Sequence, residues 1–271
     1  MPVKQPNLFR TPRLTREQKQ QIADLVRACS RCDQSTLSFP AEEGDLFYLH
    51  YTEKGELACA AALSFFGDVS HSEEGADGGY AECSAFTLPA LRRLGYFSSL
   101  FDFLSSDIET IDLYFVTEPA NQNTQKALAS LGAVHDRDEY LMEIEVGREQ
   151  KSGFLPECSR LSVTAAEEEG SVLLQFYLKE SPFPNRRAGS CRLFPSGDSA
   201  CFYGFEIETS LRGRGLGREA LLLTLSLLAD KKSGFSCRRM YLHVSGTNLP
   251  AVSLYKKTGF CICKTLSYYL Y

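Results

Sequence analysis

The stretch Leu211-Arg212-Gly213-Arg214-Gly215-Leu216-Gly217-Arg218 constrains this chain more than any other. It follows an apolar segment, Cys201 to Ile207, that reads as a strand, and opens into a leucine-rich segment, about Leu216 to Lys232, that reads as a helix. Glycines at 213, 215 and 217 let the backbone turn tightly and bring its N–H groups close to a ligand with no Cβ in the way. The helix that starts there adds unpaired N–H donors and the positive end of its dipole. Strand, glycine turn and helix in that order build an anion site, and a pyrophosphate fits it.

Two nucleotide-binding patterns fail here. A Walker A loop needs Gly-x-x-x-x-Gly-Lys-Ser/Thr, and no Lys-Ser or Lys-Thr follows these glycines. A dinucleotide fingerprint asks for a third glycine where Arg218 stands. What the turn matches is Arg-x-x-Gly-x-Gly, from Arg212 through Gly215 to Gly217, and this resembles the coenzyme A pyrophosphate loop of the GNAT superfamily of N-acetyltransferases. A second segment, Asn248-Leu249-Pro250-Ala251-Val252-Ser253-Leu254-Tyr255-Lys256-Lys257-Thr258-Gly259-Phe260, resembles the other signature of that superfamily: Asn, then Ala, Leu-Tyr and Gly-Phe on one helix and its exit.

The resemblance implies a mixed-sheet α/β fold and a set of roles. Two parallel strands, Ala200 to Glu208 and Arg239 to Val244, would splay apart. The backbone of Phe205, Glu206 and Ile207 would hold the pantetheine arm, and the amides of Gly213, Arg214, Gly215, Leu216, Gly217 and Arg218 the pyrophosphate. Arg212, Arg214 and Arg218 would add positive charge around the phosphates. Asn248 would contact coenzyme A, and the Tyr255 hydroxyl would lie near the sulfur as proton donor to the leaving thiolate. The plainer alternatives are solvated surface arginines and a half-buried core tyrosine.

The base is open at this stage. Alternation along the strand puts Tyr241 and His243 on one face and Met240, Leu242 and Val244 on the other. His243 lies where some members of the superfamily place a catalytic glutamate, and an imidazole exchanges its proton near neutral pH. Glu206 and Glu208, expected to share a face, are its rivals, and an ordered water chain is a third route.

The order of elements occurs twice. Arg92-Arg93-Leu94-Gly95-Tyr96-Phe97 stands in the first half where Arg212-Gly213-Arg214-Gly215-Leu216-Gly217 stands in the second, each between a strand and a helix. Asn121 precedes Gly132 by the same interval as Asn248 precedes Gly259. Two copies of one fold account for this, with boundaries near residues 1–148 and 149–271 and a Gly147–Glu157 linker between them. The first copy reads as degenerate, with Leu94 and Phe97 in its turn and Leu128 where the second has Tyr255. The second has little room for the helices that follow the first strand of such folds. Elsewhere, Thr15 and Gln18 form a capping-box signature ahead of an amphipathic helix through Cys29.

Net charge of −5 and an isoelectric point near 5.5 argue against a nucleic-acid partner and suit a cationic one such as an amine. The start of the chain lacks the apolar core of a signal peptide, and the longest apolar runs, Ala58–Phe66 and Ala220–Ala229, fall well short of a membrane span, which points to the cytoplasm. The ten cysteines, Cys29-x-x-Cys32 among them, read as reduced structural thiols. His50, His71 and His135 show no metal-ligand spacing. The expectation is an acetyl-CoA-dependent N-acetyltransferase acting on a primary amine of a small molecule or peptide, with acetyl-CoA as cosubstrate and no metal. A non-catalytic acyl-CoA sensor or scaffold is the alternative.

Overall fold

The computed structural model describes residues 7–67, 79–108, 111–147, 159–179 and 186–271. The linker expected at Gly147–Glu157 lies almost wholly outside them. The chain forms two compact units, Met1–Arg137 with Leu266–Tyr271, and Asp138–Thr265.

The first unit is built from β1 (Leu8–Thr11), α1 (Arg16–Asp33), β2 (Leu46–Tyr51), β3 (Leu57–Phe66), β4 (Tyr80–Thr87), α2 (Tyr96–Ser105), β5 (Asp112–Thr117), α3 (Gln122–Leu131) and the end of β12 (Cys261–Leu270). Thr15 caps α1 as its sequence predicts: its hydroxyl accepts from the Gln18 amide at 3.2 Å, and Gln18 Oε1 accepts from the Thr15 amide at 2.8 Å. Strand β1 was not expected, because four residues with Phe9 exposed carry no apolar alternation. Strand β3 is buried on both faces and reads as a continuous apolar run, Leu57-Ala58-Cys59-Ala60-Ala61-Ala62-Leu63. Its Cys59, Ala61 and Leu63 join Tyr48 in a core under Leu100, Phe101 and Leu104 of α2. On the other face Ala60 and Leu49 meet Ile22, Leu25 and Cys29 of α1. The sheet runs β1-β2-β3-β4-β5-β12, and only β4 and β5 are parallel.

The second unit contains β6 (Val134–Glu145) from Asp138 onward, β7 (Leu161–Glu168), β8 (Ser171–Leu178), β9 (Arg187–Ser196), β10 (Ser199–Ile207), α4 (Leu216–Ala229), β11 (Arg239–Ser245), α5 (Leu249–Thr258) and the start of β12. Its sheet runs β6-β11-β10-β9-β8-β7, again with a single parallel pair, β10 and β11. Glu169 and Gly170 alone connect β7 to β8, so no helix follows β7. Helices α4 and α5 pack on one face, where Leu221, Leu222, Leu225 and Leu228 of α4 join Phe176, Leu193, Phe202, Met240 and Leu242. Each such side chain contributes about 1.5–3 kcal/mol when it leaves water. Helix α4 stops at Ala229, short of the expected Lys232, because Asp230 leaves the helical region and its carboxylate takes the Lys232 amide at 2.9 Å.

Candidate functional site

The second unit opens its sheet where the glycine turn begins. Strands β10 and β11 pair over Ser199–Cys201 with Arg239–Tyr241 and then part. A bulge sets the bend: against β9, Tyr203 pairs with Arg192 and Glu206 with Ser190, so β10 carries one residue more than its partner. Gly204 lies in this bulge with φ at +61°, a conformation that glycine adopts freely. Just past it, where Gly189 pairs with Ile207, the two backbones approach so closely that a Cβ on Gly189 would lie 2.2 Å from the Glu206 carbonyl oxygen. Among the described residues, the stretch from Phe202 to Ile207 therefore shows one edge to no partner strand.

At the end of that edge the chain makes a single 3-10 turn, Thr209–Leu211, and enters the glycine turn. Gly213 and Gly215 take φ of +75° and +80°. Among the described residues the amides of Gly213, Arg214, Gly215, Leu216 and Gly217 have no acceptor; the next amides, Arg218 and Glu219, bond back to the Gly215 carbonyl at 3.1 and 3.3 Å. Arg212 donates from Nε to the Ile207 carbonyl at 2.9 Å, which ties the turn to the end of β10. Arg214 and Arg218 are exposed and make no ion pair among the described residues. Gly217 leaves room beside Phe205, Ile207 and Leu254, whose nearest atoms lie 3.5–3.9 Å from an added Cβ.

One residue at this turn carried no motif signal. Arg160, just before β7, donates from Nη2 to the Arg214 carbonyl at 2.8 Å and pairs with Glu219 in the first turn of α4 at 2.5–2.8 Å. The Arg160 amide and the Ser159 hydroxyl also donate to Glu219, at 3.0 and 3.2 Å. Burial pushes the Glu219 carboxyl up, but the Arg160 hydrogen bonds outweigh it and hold the group below its usual value. Fifty-nine residues of sequence separate the pair, so only the fold reveals it.

Helix α5 carries the second signature. Asn248 caps it, its Oδ1 accepting from the Ala251 amide at 3.3 Å, so its oxygen serves the helix, and its side-chain amide nitrogen has no partner among the described residues. Val252, Tyr255 and Thr258 form the buried face. The Tyr255 ring packs against Phe202, the first β10 residue past the paired stretch, and against Phe260, with centroids 6.4 and 5.7 Å apart. Its side chain is 7% exposed, and burial, with Cys191 nearby, pushes the phenol up to about 12. No hydrogen bond to its hydroxyl occurs among the described residues, and none of their fully buried side-chain polar atoms lacks a partner, so this hydroxyl keeps a contact with solvent.

The three candidate bases lie elsewhere. Met240, Leu242 and Val244 are buried with the helices, which puts exposed His243 on the opposite face from Tyr255. His243 has no hydrogen-bond partner among the described residues. Glu206 and Glu208 both turn to Arg187, at 2.7 and 3.8 Å, and Arg187 and the Ser190 hydroxyl share Glu206. The arrangement leaves the imidazole free and engages both carboxylates.

The first unit repeats the geometry with different side chains. Strands β4 and β5 pair over Tyr80–Cys83 with Asp112–Phe115 and then part. Arg93 and Gly95 take positive φ of 62° and 86°, matching Gly213 and Gly215, and Arg92 Nε donates to Thr87 as Arg212 does to Ile207. Here, however, β4 runs against β3 in unbroken register, with no bulge. The Arg92 guanidinium is also fully engaged by Asp33 of α1, through paired bonds of 2.8 and 2.6 Å. Leu128, buried in the core, fills the place of Tyr255.

Among the described residues no group of three or more His, Cys, Asp and Glu side chains could hold a metal ion, and no helix is long and apolar enough to cross a membrane. The described cysteines are free thiols. Residues 141–260 match the Acetyltransferase (GNAT) family. No curated protein matches the sequence. Among solved structures, a GCN5-related N-acetyltransferase from Sphaerobacter thermophilus is similar over 97% of this chain and 95% of its own, with a TM-score of 0.68 and 13% identity. A tandem GNAT protein from the clavulanic acid biosynthesis pathway, solved without AcCoA, is similar over 97% and 98%, with a TM-score of 0.59 and 14% identity. An acetyltransferase of the GNAT family from Colwellia psychrerythraea covers 97% and 99%, with a TM-score of 0.53 and 12% identity. The chain thus has the GNAT fold, like a tandem GNAT protein over 97% of its length, and its residues 141–260 match the acetyltransferases of that family.

Proposed function

We propose that the second unit binds acetyl-CoA and transfers its acetyl group to a primary amine of a small molecule or a peptide. The observation that carries this is the unpaired edge of β10 ending in a run of amides without acceptors, with Tyr255 packed against the start of that edge. These residues fit the coenzyme: free N–H groups at a helix start and the exposed Arg212, Arg214 and Arg218 suit a diphosphate. The backbone of Phe205, Glu206 and Ile207 would pair with the amides of the pantetheine arm, and Asn248 would offer its Nδ2. The coenzyme supplies an activated acyl thioester.

On this reading the amine nitrogen attacks the thioester carbonyl, the carbon–sulfur bond breaks, and Tyr255 gives its proton to the departing sulfur. Its raised pKa keeps the phenol protonated at neutral pH, as a donor requires. His243, unpartnered on the opposite face, would take the proton from the amine. The first unit lacks the bulge and the tyrosine, its Arg92 is held by Asp33, and it serves here as a degenerate copy that holds no coenzyme. A second reading, a non-catalytic acyl-CoA sensor, draws support from the engagement of Glu206 and Glu208 by Arg187, which leaves β10 with no free carboxylate base. Thiol release from acetyl-CoA over a panel of primary amines and peptides separates the two. Turnover that falls in Tyr255→Phe supports the enzyme; tight coenzyme binding with no thiol released from any amine supports the sensor.

A further inference from the structure

We propose that Arg160 is a positioning residue for the diphosphate site, holding the glycine turn open to the anion and cancelling the one carboxylate in the first turn of α4. This rests on the coenzyme reading above and extends it to a residue outside both sequence signatures.

The first part of the role follows from the peptide plane. In a trans peptide the C=O and the N–H of the next residue point in opposite directions. Arg160 Nη2 holds the Arg214 carbonyl at 2.8 Å, so the Gly215 N–H of the same plane is turned the other way, where it meets no acceptor. The guanidinium also lies against the turn itself, with Nη2 3.6 Å from the position of a Cβ on Gly215. Held this way, the plane presents a donor without having to rotate when an anion arrives, and such pre-organisation lowers the cost of binding.

The second part is electrostatic. Glu219 is the acidic residue in the first turn of α4. A carboxylate there is stabilised by the helix dipole, yet it competes with a bound phosphate for the same positive end. Arg160 pairs with it through two nitrogens, while the Arg160 amide and Ser159 take the other oxygen. Glu219 thus anchors the arginine, and the arginine removes the repulsion. The first unit has no such pair: Ser99 stands where Glu219 does, and its turn is held through Arg92 and Asp33 instead.

The test is calorimetric titration of coenzyme A into the full chain and into Arg160→Ala, Arg160→Lys, Glu219→Gln and the double variant Arg160→Ala/Glu219→Gln, with thermal midpoints recorded for each. Losing a charge-assisted bond and exposing a carboxylate should weaken binding by about tenfold or more in Arg160→Ala. Lysine should restore part of it, and the double variant should bind more tightly than Arg160→Ala, since the repelling carboxylate is gone. Two results overturn the inference: Arg160→Ala binding as well as the wild type, or a double variant no tighter than the single one, which marks a merely structural role. A wild-type chain that fails to bind coenzyme A would instead sink the coenzyme reading itself, and this inference with it.

Discussion

The Glu206 carbonyl oxygen lies 2.2 Å from where a β-carbon on Gly189 would stand, and Ile207 Cδ1 lies 3.0 Å from the same point. Two backbones thus meet just past the bulge that bends β10 away from β11, where Gly189 pairs with Ile207. Substitution Gly189→Ala must force these strands apart, at a cost of about 1–3 kcal/mol typical of overpacking. The edge displaced is the one assigned to the pantetheine arm. Calorimetric melting should show a midpoint lowered by a few degrees, and coenzyme A titration should show weakened binding; an unchanged melt with unchanged affinity would contradict the role given to the bulge.

Tyr255→Phe removes one hydroxyl and keeps the ring contacts with Phe202 and Phe260. That hydroxyl makes no hydrogen bond among the described residues, so stability should change by less than about 1 kcal/mol. Acetyl transfer should fall by about 10²–10⁴-fold, the range for losing a general acid. Single-turnover thiol release and urea unfolding, run on the same preparation, measure the two quantities separately.

Alkaline pH should destabilise the fold before it touches surface charge pairs. Burial pushes the Cys59 and Cys191 thiols from 9.0 up to about 12, and the Tyr255 phenol from 10.0 up to about 12. The unfolded chain releases these protons first, so between pH 9 and 12 it binds fewer protons than the native state and stability falls as pH rises. Their contribution is complete below about pH 9. Urea midpoints at pH 7, 9 and 10.5 should be level over the first interval and drop over the second, and Cys59→Ala should flatten the drop.

Asp33→Ala strips Arg92 of its paired carboxylate in a site where the two side chains are 9% and 26% exposed. An uncompensated, largely buried cation costs about 3–5 kcal/mol. The loss should appear in the unfolding of the first unit, while coenzyme A binding by the second keeps its wild-type constant. A parallel loss of coenzyme affinity would place the ligand at Arg92 rather than at Arg212.

What the sequence made legible was local. The capping box at Thr15 and the turn at Gly213–Gly217 each depend on residues a few positions apart, and each stands where its pattern put it. The bulge at Gly204 and the contact at Gly189 were not legible, because a bulge exists only relative to the partner strand's register. Arg160 was hidden for the same reason, its partners lying at Arg214 and Glu219. Glu206 and Glu208 looked like free bases until Arg187, on a neighbouring strand, was seen to hold both. Asn248 shows a mixture: its motif placed it at the start of α5, but only the structure shows that its oxygen is already used as the cap.

Amide hydrogen exchange with and without coenzyme A tests the central claim most directly, since it reports on the N–H groups themselves. New protection is expected at Gly213–Gly217 and along Phe205–Ile207, with none at Arg93–Phe97. Protection confined to Arg93–Phe97, or no protection at either turn while coenzyme A is present in excess, would contradict it.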